Sequence, residues 1–294
     1  MRMKIGMNVI EGGHRFCIGF FLAFGLIWTD STLGDSALFL GRQYAVGSDP
    51  ISVAIGDLNG DQVPDMAVAN RGWRRDNDGN VAVRLGLGDG TFATAVKYAF
   101  GNAFTSIAIG DLDGDSVPDL AVANQDDDNV SVLLGLGDGT FSDGGNFPAG
   151  DGPQFVTIGD LNGDQVPDLA VASSGTDPEW DGNVAVLLGV GDGTFAVAVY
   201  YAAGISPRSI AIGDLDGDHV PDLAVASSGM EYGDDASVSV LIGVGDGTFS
   251  AAVPYAVGTW ARSVAIGDLD GDQVPDLAVA NERSDKVSVL LGIG

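Results

Sequence analysis

The chain has 294 residues, with 41 acidic against 13 basic side chains and a formal net charge of −28. A balance that negative excludes nucleic acid as a partner, because no basic patch could outvote it. Its 45 glycines are roughly twice the usual ~7% share and speak against a helical protein. Its 45% hydrophobic content excludes a disordered acidic tail, and its one cysteine excludes a disulfide scaffold or a cysteine-ligated zinc site.

At the N-terminus, Phe16 to Trp28 is free of charge, and Arg2, Lys4 and Arg15 precede it. The run is shorter than the ~17–25 residues of a membrane span. It reads as the apolar region of a signal peptide over residues 1–34, with Thr32 and Gly34 as small residues before a cut at Asp35. The expectation is a secreted or cell-surface mature chain, residues 35–294, without membrane insertion and without Cys17.

From there the sequence repeats itself. A nonapeptide, Asp57-Leu-Asn-Gly-Asp-Gln-Val-Pro-Asp65 in its first copy, returns at Asp111–Asp119, Asp160–Asp168, Asp214–Asp222 and Asp268–Asp276. Its first Asp recurs at spacings of 54, 49, 54 and 54 residues. A Gly-Asp-Gly-Thr-Phe element has its Asp at 89, 138, 192 and 246. An aromatic (Tyr44, Tyr98, Phe147, Tyr201, Tyr255) stands 13 residues before each nonapeptide. In the first repeat, Ser52–Gly56, Met66–Ala69, Val81–Leu85 and Thr94–Tyr98 read as four short strands, rich in Val, Ile and Ala and bounded by Gly/Asp turns. Four strands per ~50 residues, repeated, predict an all-β fold, a β-propeller of four-stranded antiparallel blades.

The last repeat stops at Gly294, where Asp-Gly-Thr-Phe is due, while residues 35–47 before the first repeat resemble a spare fourth strand with a degenerate turn. These complementary ends favour five blades, with the N-terminal strand completing the last blade and removing exposed edges. The alternative is part of a seven-bladed ring.

Within each nonapeptide, oxygen-bearing side chains hold positions 1, 3, 5 and 9. These are Asp57, Asn59, Asp61 and Asp65; Asp111, Asp113, Asp115 and Asp119; Asp160, Asn162, Asp164 and Asp168; Asp214, Asp216, Asp218 and Asp222; and Asp268, Asp270, Asp272 and Asp276. Position 7 is valine in every copy (Val63, Val117, Val166, Val220, Val274), so only its backbone carbonyl could serve. Hard oxygen donors at alternate positions suit the flexible shell of 6–8 oxygens around Ca²⁺ better than Mg²⁺. About five calcium ions, one per repeat, are expected. No Glu stands at position 12 and no flanking helices are indicated, so the loop is not an EF-hand.

The loops Asp-x-[Asp/Asn]-Gly-Asp-x-x-Pro-Asp, followed by Leu-Ala-Val-Ala and Leu-Gly-x-Gly-Asp-Gly-Thr-Phe, resemble FG-GAP/VCBS repeats, similar to those of the integrin α-subunit propeller. The resemblance covers residues 35–294. It implies Ca²⁺ in the loop between strands one and two of each blade, as structural metal, and ligand binding at the opposite face.

That opposite face would collect the loops between strands two and three and between blades. Trp73, Trp180 and Trp260 fall there, with Arg74 and Arg75, Tyr232, Arg208 and Arg262. These residue types are enriched at recognition hot spots, and a protein or glycan is the expected ligand, giving an adhesion or binding module. With no mature Cys and only His219, a nucleophile–histidine pair is not expected. The competing reading is a polysaccharide-active glycosidase or lyase on a propeller scaffold.

Overall fold

A computed structural model describes residues 41–72, 79–99, 101, 103–175, 181–230 and 236–294. The chain divides into two units, Met1–Tyr44 and Ala45–Gly294. The signal-peptide reading over residues 1–34 lies outside the described residues, and among those described no helix is long and apolar enough to cross a membrane.

The second unit is a succession of antiparallel sheets. Blade one is β1 (Pro50–Gly56), β2 (Asp65–Asn70), β3 (Asn80–Arg84) and β4 (Val96–Tyr98). Blade two is β5 (Phe104–Gly110), β6 (Asp119–Asn124), β7 (Asn129–Gly135) and β8 (Phe141–Pro148). Blade three is β9 (Pro153–Gly159), β10 (Asp168–Ser173), β11 (Asp181–Leu187) and β12 (Val199–Ile205). Blade four is β13 (Pro207–Gly213), β14 (Asp222–Ser227), β15 (Ser237–Leu241) and β16 (Val253–Ala256). Blade five has β17 (Ala261–Gly267), β18 (Asp276–Asn281) and β19 (Lys286–Leu290), with a 3₁₀ turn at Glu282–Ser284. Each sheet is a meander in sequence order, and the strands lie within two or three residues of those expected.

The second strand of each blade explains its own composition. In β6, β10 and β14 all six residues are buried, because the sheet is covered on both faces by neighbouring blades. A strand buried on both sides needs an unbroken apolar run, and Leu-Ala-Val-Ala supplies it with small residues that let sheets approach. Four hydrophobic clusters fill the four junctions between consecutive blades.

Two further devices join blade to blade. At the end of each first strand a glycine seats an isoleucine of the next blade. A Cβ on Gly56 would lie 3.3 Å from Ile109, on Gly110 3.0 Å from Ile158, on Gly159 2.9 Å from Ile212 and on Gly213 2.9 Å from Ile266. Farther out, the aromatic of a fourth strand meets the Phe of the next hairpin edge-on. Ring centroids are 5.8 Å apart for Tyr98–Phe141, 5.1 Å for Phe147–Phe195 and 5.7 Å for Tyr201–Phe249. The Phe141 and Phe249 amides donate to the Tyr98 and Tyr201 hydroxyls, each at 3.2 Å. This is the role, at Tyr98, Phe147 and Tyr201, of the aromatic that recurs 13 residues before each nonapeptide.

The expected closure is not seen among the described residues. First strands contact in the order β1, β5, β9, β13, β17, and no comparable contact joins β17 to β1. A Cβ on Gly267 would meet nothing within 4 Å, while its counterpart, Ile55, is 68% exposed. The fifth sheet has three strands. Of the segment expected to complete it, residues 35–40 lie outside the described set. Ala45 and Ser48 instead attach to blade one, accepting hydrogen bonds from the Arg84 guanidinium and the Gly72 amide. At blade five a cavity of about 340 Å³ remains, lined by Leu215, Val240, Ile242, Tyr255, Leu277 and Leu290 among others. These match the residues around Phe141 and Phe249, three junctions and one junction earlier.

Candidate metal centre

The nonapeptide lies between the first and second strands of each blade, as the repeat pattern requires. Its conformation is built from its own aspartates. The position-1 carboxylate bridges two amides: in the first repeat Asp57 accepts from Gly60 at 2.8 Å and Gln62 at 2.7 Å. The same pair forms at Asp111, Asp160, Asp214 and Asp268. Position 5 accepts from the valine amide at position 7, at 2.8 Å for Asp61 and likewise in the other four copies. Folding the loop over these oxygens places position 6 in the left-handed region, with φ of 65° at Gln62, 68° at Ser116, 67° at Gln165, 68° at His219 and 72° at Gln273. No glycine marks that position, so no residue type announces it.

Three repeats bring acidic oxygens together closely enough to hold a cation. One oxygen each from Asp111, Asp113 and Asp115, from Asp214, Asp216 and Asp218, and from Asp268, Asp270 and Asp276 lie within 4.8 Å of one another. In the other two repeats position 3 is an amide, and the Asn59 and Asn162 nitrogens donate to Asp61 and Asp164 at 3.0 and 2.9 Å. Burial pushes the Asp113 carboxyl up, and repulsion from Asp115 and Asp111 adds to it. Asp270 is raised in the same way, with Asp272 and Asp276 as its repelling neighbours. Crowded carboxylates of this kind, all oxygen and without a counter-charge, fit a hard cation. His219 lies at position 6, exposed, with its ring Nδ1 3.3 Å from Asp214 Oδ2.

Position 9 is where the structure adds most to the sequence reading. Asp65, Asp119, Asp168 and Asp222 are fully buried and Asp276 nearly so. One oxygen of each accepts from the leucine amide at position 2, at 2.7–2.8 Å. The other accepts from a glycine amide at the end of the third strand: Gly86, Gly135, Gly189, Gly243 or Gly292, at 2.6–2.8 Å. The side chain at position 9 is therefore a clamp between the acidic loop and the hairpin beside it, and in repeat five, where Asp276 lies with Asp268 and Asp270, it also belongs to the acidic group. Burial pushes Asp119, Asp168 and Asp222 up against the pull of these amides. At Asp276 the Gly292 and Leu269 amides win and hold the carboxyl down. One signal for the clamp was available: position 9 stays Asp in every copy, including those where position 3 is Asn.

The clamped glycine cannot be replaced. A Cβ on Gly135 would lie 2.4 Å from the Pro118 carbonyl oxygen, a backbone atom rather than the end of a flexible side chain. Gly135→Ala is expected to destabilise the fold by about 1–3 kcal/mol, read from the denaturation midpoint, whereas Ala at exposed Gly60, where a Cβ meets nothing within 4 Å, costs only its φ of 76°.

At the opposite end, Trp73, Arg74, Arg75, Trp180 and Tyr232 lie outside the described residues. The three that are described come together. Trp260 is half-buried with φ 61°; the Arg283 guanidinium lies 3.6 Å from its ring centroid and that of Arg262 5.3 Å. Arg262 is ion-paired with Glu282. Arg208 donates to Gln154 Oε1 at 2.7 Å.

The family model of the FG-GAP-like repeat matches residues 57–122, 111–171, 171–225 and 227–279. No curated protein matches the chain. Among solved structures, the chain is similar to a functionally unknown protein from Desulfotomaculum acetoxidans DSM 771, at 15% identity and a TM-score of 0.60, over 87% of this chain and 74% of that one. At that identity the likeness speaks for the fold alone. The four repeat matches span most of the chain, and with the five acidic loops on five antiparallel sheets they place it in the FG-GAP-like repeat family.

Proposed function

We propose that the protein is a secreted or surface-associated binding module, not an enzyme, whose blades are stabilised by Ca²⁺ in the nonapeptide loops and whose opposite end meets a protein or glycan. One observation carries this reading. Antiparallel meanders send every acidic loop to one end of the blades and every second-to-third-strand and inter-blade loop to the other. The metal loops can therefore be rigid while the far loops vary, and variable loops on a rigid scaffold commonly carry recognition. Trp260, Arg208 and Arg262 share that far end with Arg71 and Arg283, a concentration of aromatic and cationic groups in a strongly acidic chain.

The test is binding to an immobilised panel of glycans and extracellular proteins in the presence of Ca²⁺. Trp73→Ala, Trp180→Ala and Trp260→Ala are expected to weaken capture, at least one of them by tenfold or more, about the cost of losing a hot-spot aromatic. Undiminished capture by all three variants removes this face as the recognition surface.

A further inference from the structure

The far end of the blades is more regular than its sequence suggests. The residue before each first strand is left-handed: φ is 54° at Asp49, 53° at Ala103, 63° at Gly152, 55° at Ser206 and 61° at Trp260. Its carbonyl accepts from the residue just after the second strand, in the pairs Arg71–Asp49, Gln125–Ala103, Ser174–Gly152, Ser228–Ser206 and Glu282–Trp260, at 2.9–3.1 Å. The fold thus fixes one set of five equivalent positions, Arg71, Gln125, Ser174, Ser228 and Glu282. The second residue of each first strand makes another set: Ile51, Thr105, Gln154, Arg208 and Arg262. Since first strands are those through which successive blades touch, both sets surround the mouth between the blades.

Three blades place an arginine there. Arg208 is half-buried, and its Nε is enclosed without a partner, as is Arg71 Nε. Burial, then Arg262 and Arg71, pull the Arg208 guanidinium down to about 10, and among the described residues Glu282 opposes them. Glu282 is itself taken by Arg262. A guanidinium drawn out of water beside two like charges is costly unless an anion joins it, and its planar fork matches an oxyanion with two parallel hydrogen bonds. Neutral groups share this end of the blades: the Gln154 amide oxygen accepts from Arg208, and the Gln125 Oε1 and the Trp260 Nε1, at equivalent positions of other blades, are enclosed without partners.

We propose that Arg208, with Arg71 and Arg262, binds the carboxylate of an acidic glycan, a uronate-bearing saccharide, at this mouth. The inference rests on the reading that this end is the ligand face, and it adds the ligand's chemistry. The neutral groups favour a uronate over an acidic peptide, because a sugar carboxylate arrives ringed by hydroxyls that both donate and accept.

Calorimetric titration of the full chain with a tetragalacturonate, at fixed ionic strength and saturating Ca²⁺, tests it. Saturable binding is expected, with no comparable binding of the neutral galactose tetramer. Arg208→Gln should weaken binding ~10–100-fold, the loss of a hydrogen-bonded charge contact, while Lys97→Gln, on the outer strand β4, leaves it unchanged. Since Arg208→Gln removes a half-buried charge, an unaltered melting curve distinguishes a lost site from a lost fold. A melting curve that falls is met by Arg208→Lys, which keeps the charge and should retain part of the affinity. Equal affinity in wild type and Arg208→Gln overturns the proposal, as does binding of poly-glutamate in place of the uronate. The two readings fail separately: a neutral glycan or protein held through the Trp residues, with no uronate binding, leaves the face and removes the anion. Uronate binding that is lost with Arg208 and indifferent to all three Trp variants keeps the anion site and removes the tryptophans as recognition contacts.

Discussion

Chelated chain to which Ca²⁺ is added at about 100 times Kd should melt far higher than before. A ligand that binds only the folded state contributes RT ln(1 + [L]/Kd), about 2.7 kcal/mol per site at that ratio. Five such loops together contribute roughly 13 kcal/mol, comparable with the whole ~5–15 kcal/mol stability of an ordinary domain. At about 2–4 °C per kcal/mol for a chain of this size, the melting temperature rises by roughly 30 °C. The reason lies in the loops: carboxylates are held together by their own backbone, those at positions 1, 3 and 5 of repeats two and four within 4.8 Å of one another, and in repeat two burial and then repulsion from Asp115 and Asp111 push Asp113 up. A cation turns that repulsion into attraction. Differential scanning calorimetry in excess chelator and then in Ca²⁺ measures the effect, and a transition that does not move would refute calcium as a structural metal here. Mg²⁺ at equal concentration should do much less, since it keeps more of its water and demands a stricter octahedron.

The second large effect needs no metal. In calcium-free protein, Asp168→Ala should lower stability by about 3–5 kcal/mol. Asp168 is fully buried and accepts from Leu161 and Gly189, each at 2.8 Å. Its removal strands two buried amides, at about 1–3 kcal/mol each. Asp168→Asn keeps one acceptor oxygen and should lose about half as much. Asp164→Ala, at exposed position 5 of the same loop, should cost under about 1 kcal/mol without calcium and instead reduce the gain on adding it. Urea denaturation of the three variants, with and without Ca²⁺, separates clamp from ligand. If Asp168→Ala and Asp164→Ala respond alike in both conditions, position 9 is not a clamp.

These two positions also mark how far the sequence could be read. The period, the four strands and the acidic loops were legible because each rests on local rules: alternation, Asp-Gly turns and oxygen spacing. Position 9 looked like one more oxygen in a series, since its partners at the third-strand glycines lie 16–21 residues away and no local pattern names them. The Gly56–Ile109 seat was hidden for the same reason, being a contact between repeats rather than within one. Likewise the repeat pattern assigns Arg208 and Arg262 to one face without naming their partners there. Only the stacking of blades shows that residues 71, 208 and 262 address the same mouth. Closure is an inference from the chain ends, and it is not seen among the described residues, where Ile55 is exposed and a Cβ on Gly267 meets nothing.

That Ile-into-Gly seat has a direction. Every blade offers a glycine forward and an isoleucine backward, so the stack is polar, like a row of bricks each with one stud and one socket. Stability in such an array passes between nearest neighbours. Among the described residues, blades two, three and four draw on two junctions each, blades one and five on one. Opening therefore proceeds inward from either end, and the middle blades hold out longest although their repeats are nearly the same in sequence. Position in the row, rather than sequence, sets how long each blade survives.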